Sequence, residues 1–315
     1  MFQLTLQRVA DDNMFNPPII VGSENHKTLI SEQLAEIGIT PAAIIYEPCA
    51  RNTAPAIALA ALAAENPQDL LLIMPSDHVI KNQIAFLRSV EESVSIGQSR
   101  WLVTFGITPT EPATGYGYIQ QGREIIGTSS SFQAQRFVEK PNEERAKDML
   151  DEGGFYWNAG IFLFRADAYL AEMEKFVPDM LATCQESIDQ SLAEKNAIFP
   201  NKLAFEQAPS DSIDYAIMER ASQVAVTPTN PGWSDVGSWD SLYEITAKEE
   251  NRNAVTGSVT ALESSGNLIH SNELEISTYG VEDLIIVGDK NRVMILPRGQ
   301  SQHVKEIVKE QSKER

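Results

Sequence analysis

The 315-residue chain reads as an α/β protein with a mostly parallel sheet covered by helices on both faces, followed by a small all-β domain. Three observations predict this. Strand-like and helix-like segments alternate through the first half, the rhythm of βαβ units. The run Leu70-Leu71-Leu72 is continuously apolar and short, as a buried strand is. From about residue 254 the pattern changes to short alternating runs separated by glycines.

In chain order, Phe2 to Ala10 reads as a short amphipathic helix and Pro18 to Val21 as a strand. A helix over Leu29 to Ile37 and a strand over Ala42 to Tyr46 follow. The alanine-rich stretch from about Ala54 to Glu65 is helical, with Pro55 tolerated in its first turn. Leu70 to Met74 is a strand, Ile84 to Gly97 a helix and Trp101 to Gly106 a strand. Further strands are expected around Arg136-Phe137-Val138 and Ile161 to Phe164, with helices near 142–152 and 166–192. Past residue 254, Val255 to Val259 and Leu284 to Val287 alternate between Gly266, Gly280 and Gly288. A few coils of a β-helix would fit, though periodicity alone does not establish a repeat. The expected domains are 1–250, then 251–300, then a charged tail over 301–315 that reads as an exposed or fraying helix.

Composition bounds the function. Hydrophobic residues make up 43% and charged residues 22%, enough for a substantial core. The net charge of −19 argues against a nucleic-acid partner, which calls for a basic face. It also means that a phosphate site here must supply its own cations or backbone donors. Cys49 and Cys184 are the two cysteines, without metal-ligand spacing or a disulfide framework, which fits a reducing compartment. No apolar stretch approaches the roughly 20 residues that span a bilayer, and the N-terminus lacks a signal-peptide pattern. A cytoplasmic protein with no membrane partner is expected.

Six segments carry candidate chemistry. Asp77 closes Ile73-Met74-Pro75-Ser76-Asp77-His78 at the end of the apolar strand, and Asp235 sits in Trp233-Ser234-Asp235-Val236-Gly237-Ser238-Trp239. Acids at strand ends lie where open α/β sheets bind ligands. Two such carboxylates suit a Mg²⁺ that keeps waters and bridges substrate phosphates. Arg51-Asn52-Thr53 precedes the alanine-rich helix and fits an N-cap that presents N–H groups to an anion or base edge. Gly115 and Gly117 in Thr114-Gly115-Tyr116-Gly117-Tyr118 let backbone approach a ligand closely. In Val138-Glu139-Lys140-Pro141, Glu139 can accept from sugar hydroxyls while Lys140 meets a phosphate. Asn158, in Tyr156-Trp157-Asn158-Ala159-Gly160, offers an amide able to donate and accept, with Trp157 read as core. Taken singly, each is equally a turn, a capped helix or a solvated charge pair.

In this order and spacing the segments resemble the bacterial mannose-1-phosphate guanylyltransferases (GDP-mannose pyrophosphorylases), of the sugar-1-phosphate nucleotidyltransferase family. The likeness is carried by E-P-C-A-R-N-T-A-P-A-I-A from Glu47, M-P-S-D-H-V from Met74, T-G-Y-G-Y-I ending at Ile119 and V-E-K-P from Val138. W-N-A-G-I-F from Trp157, S-I-D-Y-A-I-M-E from Ser212 and G-W-S-D-V-G-S-W from Gly232 continue it. It implies a Rossmann-like fold of the nucleotide-diphospho-sugar transferase type. It also implies transfer of a guanylyl group from GTP to mannose 1-phosphate, in nucleotide-sugar biosynthesis for polysaccharides. Asn52 and Thr53, with Arg51, would lie near the guanine, and Asp77 and Asp235 would hold Mg²⁺. Gly117, Glu139 and Asn158 would bind mannose hydroxyls, Lys140 would face the sugar phosphate, and Asp214 and Tyr215 would be scaffold for the cleft.

Members of that family open with a strand and a glycine-rich triphosphate loop, whereas Met1-Phe2-Gln3-Leu4 resembles the helix after it. An incomplete sheet and impaired nucleotide turnover are therefore expected of these residues. The alternatives are a regulatory or catalytically impaired homologue that retains the sugar-phosphate pocket, and a nucleotidyltransferase for another sugar 1-phosphate. The four histidines, His26, His78, His270 and His303, are too scattered for the metal site of the isomerase domain that many relatives carry. The β appendage is a candidate homodimer contact.

Overall fold

Residues 1–11, 13–127 and 131–313 are described by the computed structural model, and the chain divides into two compact units, Met1–Trp233 and Ser234–Arg315.

In the first unit the expected alternation is present. The helices are α1 (Phe2–Arg8), α2 (Lys27–Ile37), α3 (Thr53–Leu62), α4 (Gln83–Gln98), α5 (Glu143–Glu152), α6 (Ala166–Phe176), α7 (Pro178–Asp189) and α8 (Lys202–Phe205). The strands are β1 (Ile19–Ser23), β2 (Ala43–Glu47), β3 (Leu70–Ile73), β4 (Val79–Ile80), β5 (Leu102–Ile107), β6 (Tyr118–Glu124), β7 (Phe132–Val138), β8 (Phe155–Arg165), β9 (Leu192–Glu194), β10 (Ala197–Phe199) and β11 (Val224–Thr229). The helix expected over 166–192 is two helices. Pro178 cannot donate to the preceding turn, so it begins a new helix instead of continuing the old one.

The strands form two main sheets, of order β1-β2-β10-β9 and β3-β8-β5-β11-β7-β6. Parallel pairing joins β1 and β10 to β2, and β11 to β5. In the larger sheet β8 runs antiparallel to β3, β5 and β6, and β7 antiparallel to β11 and β6, so among its described pairings only β5 with β11 is parallel. Strands β1 and β3 each end a sheet. That edge position is why Leu70 to Ile73, expected to be buried, are only half-buried. Ile19, Val21, Leu71 and Ile73 nevertheless pack against one core cluster that includes Ala54, Ala58 and Leu59 of α3. A helix apolar on every face must be enclosed, and α3 is: Ala54, Ala58 and Leu59 are fully buried.

The feature that shapes the site lies in β8. Its first residues pair with β6 (Tyr118↔Trp157), its later ones with β5 (Thr104↔Phe162), and the register slips between Thr104 and Gly106. Gly160, at φ +65°, sits in that slip. A bulge of this kind redirects a side chain, and the left-handed backbone is cheap only for glycine.

The second compact unit takes in the residues from Ser234 onward. The helix Trp239–Ile245 turns Trp239, Leu242 and Tyr243 onto the same cluster as Ala254, Leu268 and Ile285, so it packs with the β region that follows it in sequence. That region is a short parallel β-helix. Ala254 pairs with Leu268 and Leu268 with Ile285, while Val259–Leu262 pairs with Ile276–Tyr279. Strand Arg292–Pro297 closes the stack antiparallel to Leu284–Asp289. Two fully buried asparagines tie the coils together. Asn253 Oδ1 accepts from Asn267 N and Nδ2; Asn267 Nδ2 also donates to Val281 O, and Asn267 Oδ1 accepts from Leu284 N at 2.9 Å. Asn267→Ala strands buried backbone partners, so it is expected to cost about 2–4 kcal/mol, read as an earlier unfolding transition of this unit by calorimetry. No helix among the described residues is long and apolar enough to cross a membrane.

Candidate functional site

The site in the first unit is assembled by the β8 bulge, the end of β7, the loop before β6 and the segment 211–219. Gly117 lies against two side chains of this site: a Cβ there would stand 2.5 Å from Glu139 Oε2 and 3.6 Å from Asn158 Cβ. The Gly117 carbonyl accepts from Asn158 N at 2.8 Å. Glu139 Oε1 lies 2.9 Å from Lys140 Nζ, with the lysine side chain 64% exposed and the glutamate 24%. Lys140 adopts φ +43°, which turns it out of the strand path, so neighbouring residues reach the same cleft. The hydrogen bond and charge of Glu139 raise Lys140 above the ordinary lysine value, which keeps it an ammonium at neutral pH.

Asp214 and Tyr215 complete this cluster. Asp214 begins a single π-helical turn, Asp214–Met218, a deviation frequent at functional positions. Its Oδ1 accepts from Asn158 Nδ2 at 2.6 Å. Burial pushes its carboxyl up, against the Asn158 hydrogen bond, which holds it down. Glu219 is likewise raised, first by burial and then by Asp214, Glu139 and Asp211. Tyr215 remains half-exposed beside them.

A second wall is aromatic. Tyr116 meets Trp157 at 5.0 Å and Trp233 at 5.2 Å between ring centroids, both edge-on. Trp233 Nε1 donates to His78 Nδ1 at 3.1 Å. An indole N–H can only donate, so Nδ1 is the acceptor nitrogen and Nε2 faces Asp77, 3.9 Å from its Oδ1. Trp157 is buried, as expected of a core residue. Asp77 itself is 76% exposed. Its loop abuts the bulge, since a Cβ on Gly160 would lie 3.8 Å from both His78 Cε1 and Pro75 Cγ. The loop is held from beneath by Arg8, whose Nη2 donates to His78 O at 3.2 Å.

The Arg51-Asn52-Thr53 segment is differently placed from a free helix terminus. Arg51 donates to the carbonyls of Phe205 and Glu206. Asn52, at φ +68°, accepts from Thr53 N, Ala54 N donates to Asp211 O, and Pro55 has no N–H. Most of the first-turn donors are thus engaged within the protein, leaving less for an anion than the N-cap pattern implies. Thr53 Oγ1 accepts from Ile213 N at 2.9 Å, which ties this segment to the residue before Asp214.

Asp235 belongs to the second unit, where its Oδ1 accepts from Gly237 N at 2.9 Å. A Cβ on Gly237 would come 2.6 Å from Asp235 Oδ2, and Val236 takes φ +51°. A β-branched residue in that region is a true outlier, of the kind that clusters at ligand-binding turns. Among the described residues no group of three or more His, Cys, Asp or Glu forms a metal cage. Mg²⁺ does not need one: one or two carboxylates with substrate phosphates suffice, and exposed carboxylate oxygens are its donors. Burial pushes the Cys184 thiol up to about 12, which keeps it neutral.

These features define an α/β protein with a polar cluster at its strand ends, and the chain belongs to the nucleotidyl transferase family, which it matches over residues 1–252. Residues 257–310 match the MannoseP isomerase/GMP-like beta-helix domain. The chain is 40% identical over 312 residues to the alginate biosynthesis protein AlgA of Pseudomonas aeruginosa, across 98% of this chain and 65% of that protein. Identity is also 40% over 312 residues to a mannose-1-phosphate guanylyltransferase of Salmonella montevideo, across 98% of this chain and 66% of the relative. The chain therefore spans just under two thirds of the length of these curated relatives. A crystal structure titled mannose-1-phosphate geranyltransferase, from Thermus thermophilus, superimposes with a TM-score of 0.83 at 25% identity, covering 99% of this chain and 89% of that one.

Proposed function

We propose that the chain acts in guanylyl transfer from GTP to mannose 1-phosphate, giving GDP-mannose and pyrophosphate in the cytoplasm for polysaccharide synthesis. The observation that carries this reading is the meeting of Gly117, Glu139, Lys140 and Asn158 in one cluster, where an acceptor, a cation and an amide gather around a glycine. A sugar phosphate matches that set: hydroxyls for Glu139 and Asn158, a phosphate for Lys140. The relatives' name supplies the particular sugar and nucleotide.

In the reaction a phosphate oxygen of mannose 1-phosphate attacks the α-phosphorus of GTP in line, and pyrophosphate leaves. No general base is needed, since a phosphate monoester with a second pKa of about 6 is already largely ionised. What remains for the protein is alignment and charge neutralisation. Lys140, kept charged by Glu139, stands against the sugar phosphate, and Glu139 with Asn158 orients the ring. Asn52 and Thr53 lie toward the base. Asp77 and Asp235 would hold Mg²⁺, which when bound offsets phosphate charge.

Crossing GTP, ATP, UTP and dTTP with mannose and glucose 1-phosphates tests the assignment. Pyrophosphate release is expected from GTP with mannose 1-phosphate above every other pair. Preference for another pair would reassign the substrate, and binding of mannose 1-phosphate without release from any pair would mark an impaired homologue.

A further inference from the structure

We propose that Asp214 is a positioning residue that fixes the Asn158 amide as a one-way donor into the cleft. The inference rests on reading that cleft as the sugar-phosphate site.

Three partners surround the amide. Gly160 N donates to Oδ1 at 3.2 Å, Thr104 Oγ1 donates to the same oxygen at 3.2 Å, and Nδ2 donates to Asp214 Oδ1 at 2.6 Å. The Gly160 N–H can only donate, so the amide atom facing it must be oxygen. Turning the amide over would set its NH₂ against that N–H and its carbonyl against a carboxylate. Gly160 N fills one acceptor position of Oδ1, the Thr104 hydroxyl lies at the other while also reaching Ile161 O at 3.4 Å, and one of two Nδ2 hydrogens is taken. A single hydrogen is left for a ligand.

An amide in an open cleft can pair with a hydroxyl in either sense, but this one cannot. Across Gly117, the carboxylate of Glu139 only accepts. The cleft therefore presents a fixed donor and a fixed acceptor on two sides of one glycine, which dictates the direction of the hydrogen bonds a sugar must make. Asp214 is half-buried beside Asn158, and its Oδ1 is spent on that amide at 2.6 Å, so we assign its effect to the amide. Thr104 is fully buried and Gly160 lies in the bulge, so among the described residues the oxygen side is held by the sheet and the nitrogen side by Asp214.

Asp214→Asn and Asn158→Ala, singly and together, test the coupling on the intact chain. In the ligand-free protein, Asp214→Asn is expected to move the Asn158 side-chain ¹H–¹⁵N pair, identified by its loss in Asn158→Ala, and to speed its exchange with solvent. By titration, Asp214→Asn should weaken mannose 1-phosphate about tenfold, the scale of one charge-assisted hydrogen bond, with GTP affinity changed less than about twofold. The double variant should bind the sugar phosphate no worse than Asn158→Ala.

The exchanged pair Asn158→Asp with Asp214→Asn guards against misfolding. It keeps the internal bonds but turns an acceptor toward the cleft, so it should fold and still bind the sugar phosphate weakly. An unmoved amide signal, equal losses for both ligands, additive losses in the double variant or full binding by the exchanged pair would each overturn the proposal. If the wild-type chain ignored mannose 1-phosphate, the substrate reading would fail, while the spectrum of the free protein would still decide whether Asp214 holds Asn158.

Discussion

Asp235→Asn and Asp77→Asn are each expected to lower turnover by about two to three orders of magnitude, the effect of losing about 3–4 kcal/mol of electrostatic stabilisation at the reacting phosphates. The fold should hardly notice. Asp77 is 76% exposed, and its pairing with His78 is a long one, at 3.9 Å. In Asp235 the oxygen that accepts from Gly237 N is retained by asparagine, so the turn keeps its hydrogen bond while the charge is lost. Loss of charge without loss of shape is the change a Mg²⁺ ligand does not tolerate, because the ion needs hard anionic oxygens. Raising Mg²⁺ should recover part of the activity of either variant, whereas a purely structural defect would not respond. Wild-type rates of pyrophosphate release from either variant would remove the metal assignment.

The residues of the site that are legible in sequence share one property: their roles are local. Gly117, Glu139 and Lys140 lie at strand ends, where a glycine or a charged pair interrupts an apolar pattern, and the fold brings these segments into one cleft. Asp214 has no such signal. Its partner Asn158 is 56 residues away, and only the resemblance of S-I-D-Y-A-I-M-E marks its segment. Reading it as scaffold captures its burial but not the amide it holds. Arg51 is the opposite case. In an acidic chain a cation beside a helix start suggests a ligand, yet its guanidinium reaches carbonyls 154 and 155 residues further on.

Similar physics governs the elements. The alternation of β1 to α4 is legible because each segment is long and apolar on the period of its own structure. Val224–Thr229 gives no strand signal because Pro228 argues against one, although β11 pairs along β5 with Pro228 opposite Gly106. The β-helix is anticipated from its short glycine-separated strands, but its repeat is not legible. Its coils advance by 14 and then 17 residues, as the Asn253–Asn267 and Asn267–Leu284 bonds record, so no fixed period appears.

Glu47→Gln is expected to stabilise the protein at pH 8 and to do nothing at pH 4.5. Glu47 ends β2 opposite Ser23, and burial alone pushes its carboxyl up from 4.5 to about 7. Between those values the folded chain holds a proton that the unfolded chain has released. Stability is therefore fully present below about pH 4.5, falls as pH rises toward 7, and stays level above it. The whole displacement corresponds to about 3 kcal/mol, of which roughly 1–3 should be realised because the side chain keeps some solvent contact. Asp214 and Glu219 are raised in the same direction, but both are common to the two proteins and cancel in the comparison. Cys184, the buried thiol near Glu47, stays neutral throughout this range. Glutamine matches the neutral acid in shape and never ionises, so unfolding midpoints of the two proteins should coincide at pH 4.5 and separate progressively up to about pH 7.5. A constant offset at every pH would mean that the substitution acts through packing, and no offset at any pH would mean that the carboxylate reaches water in the folded protein.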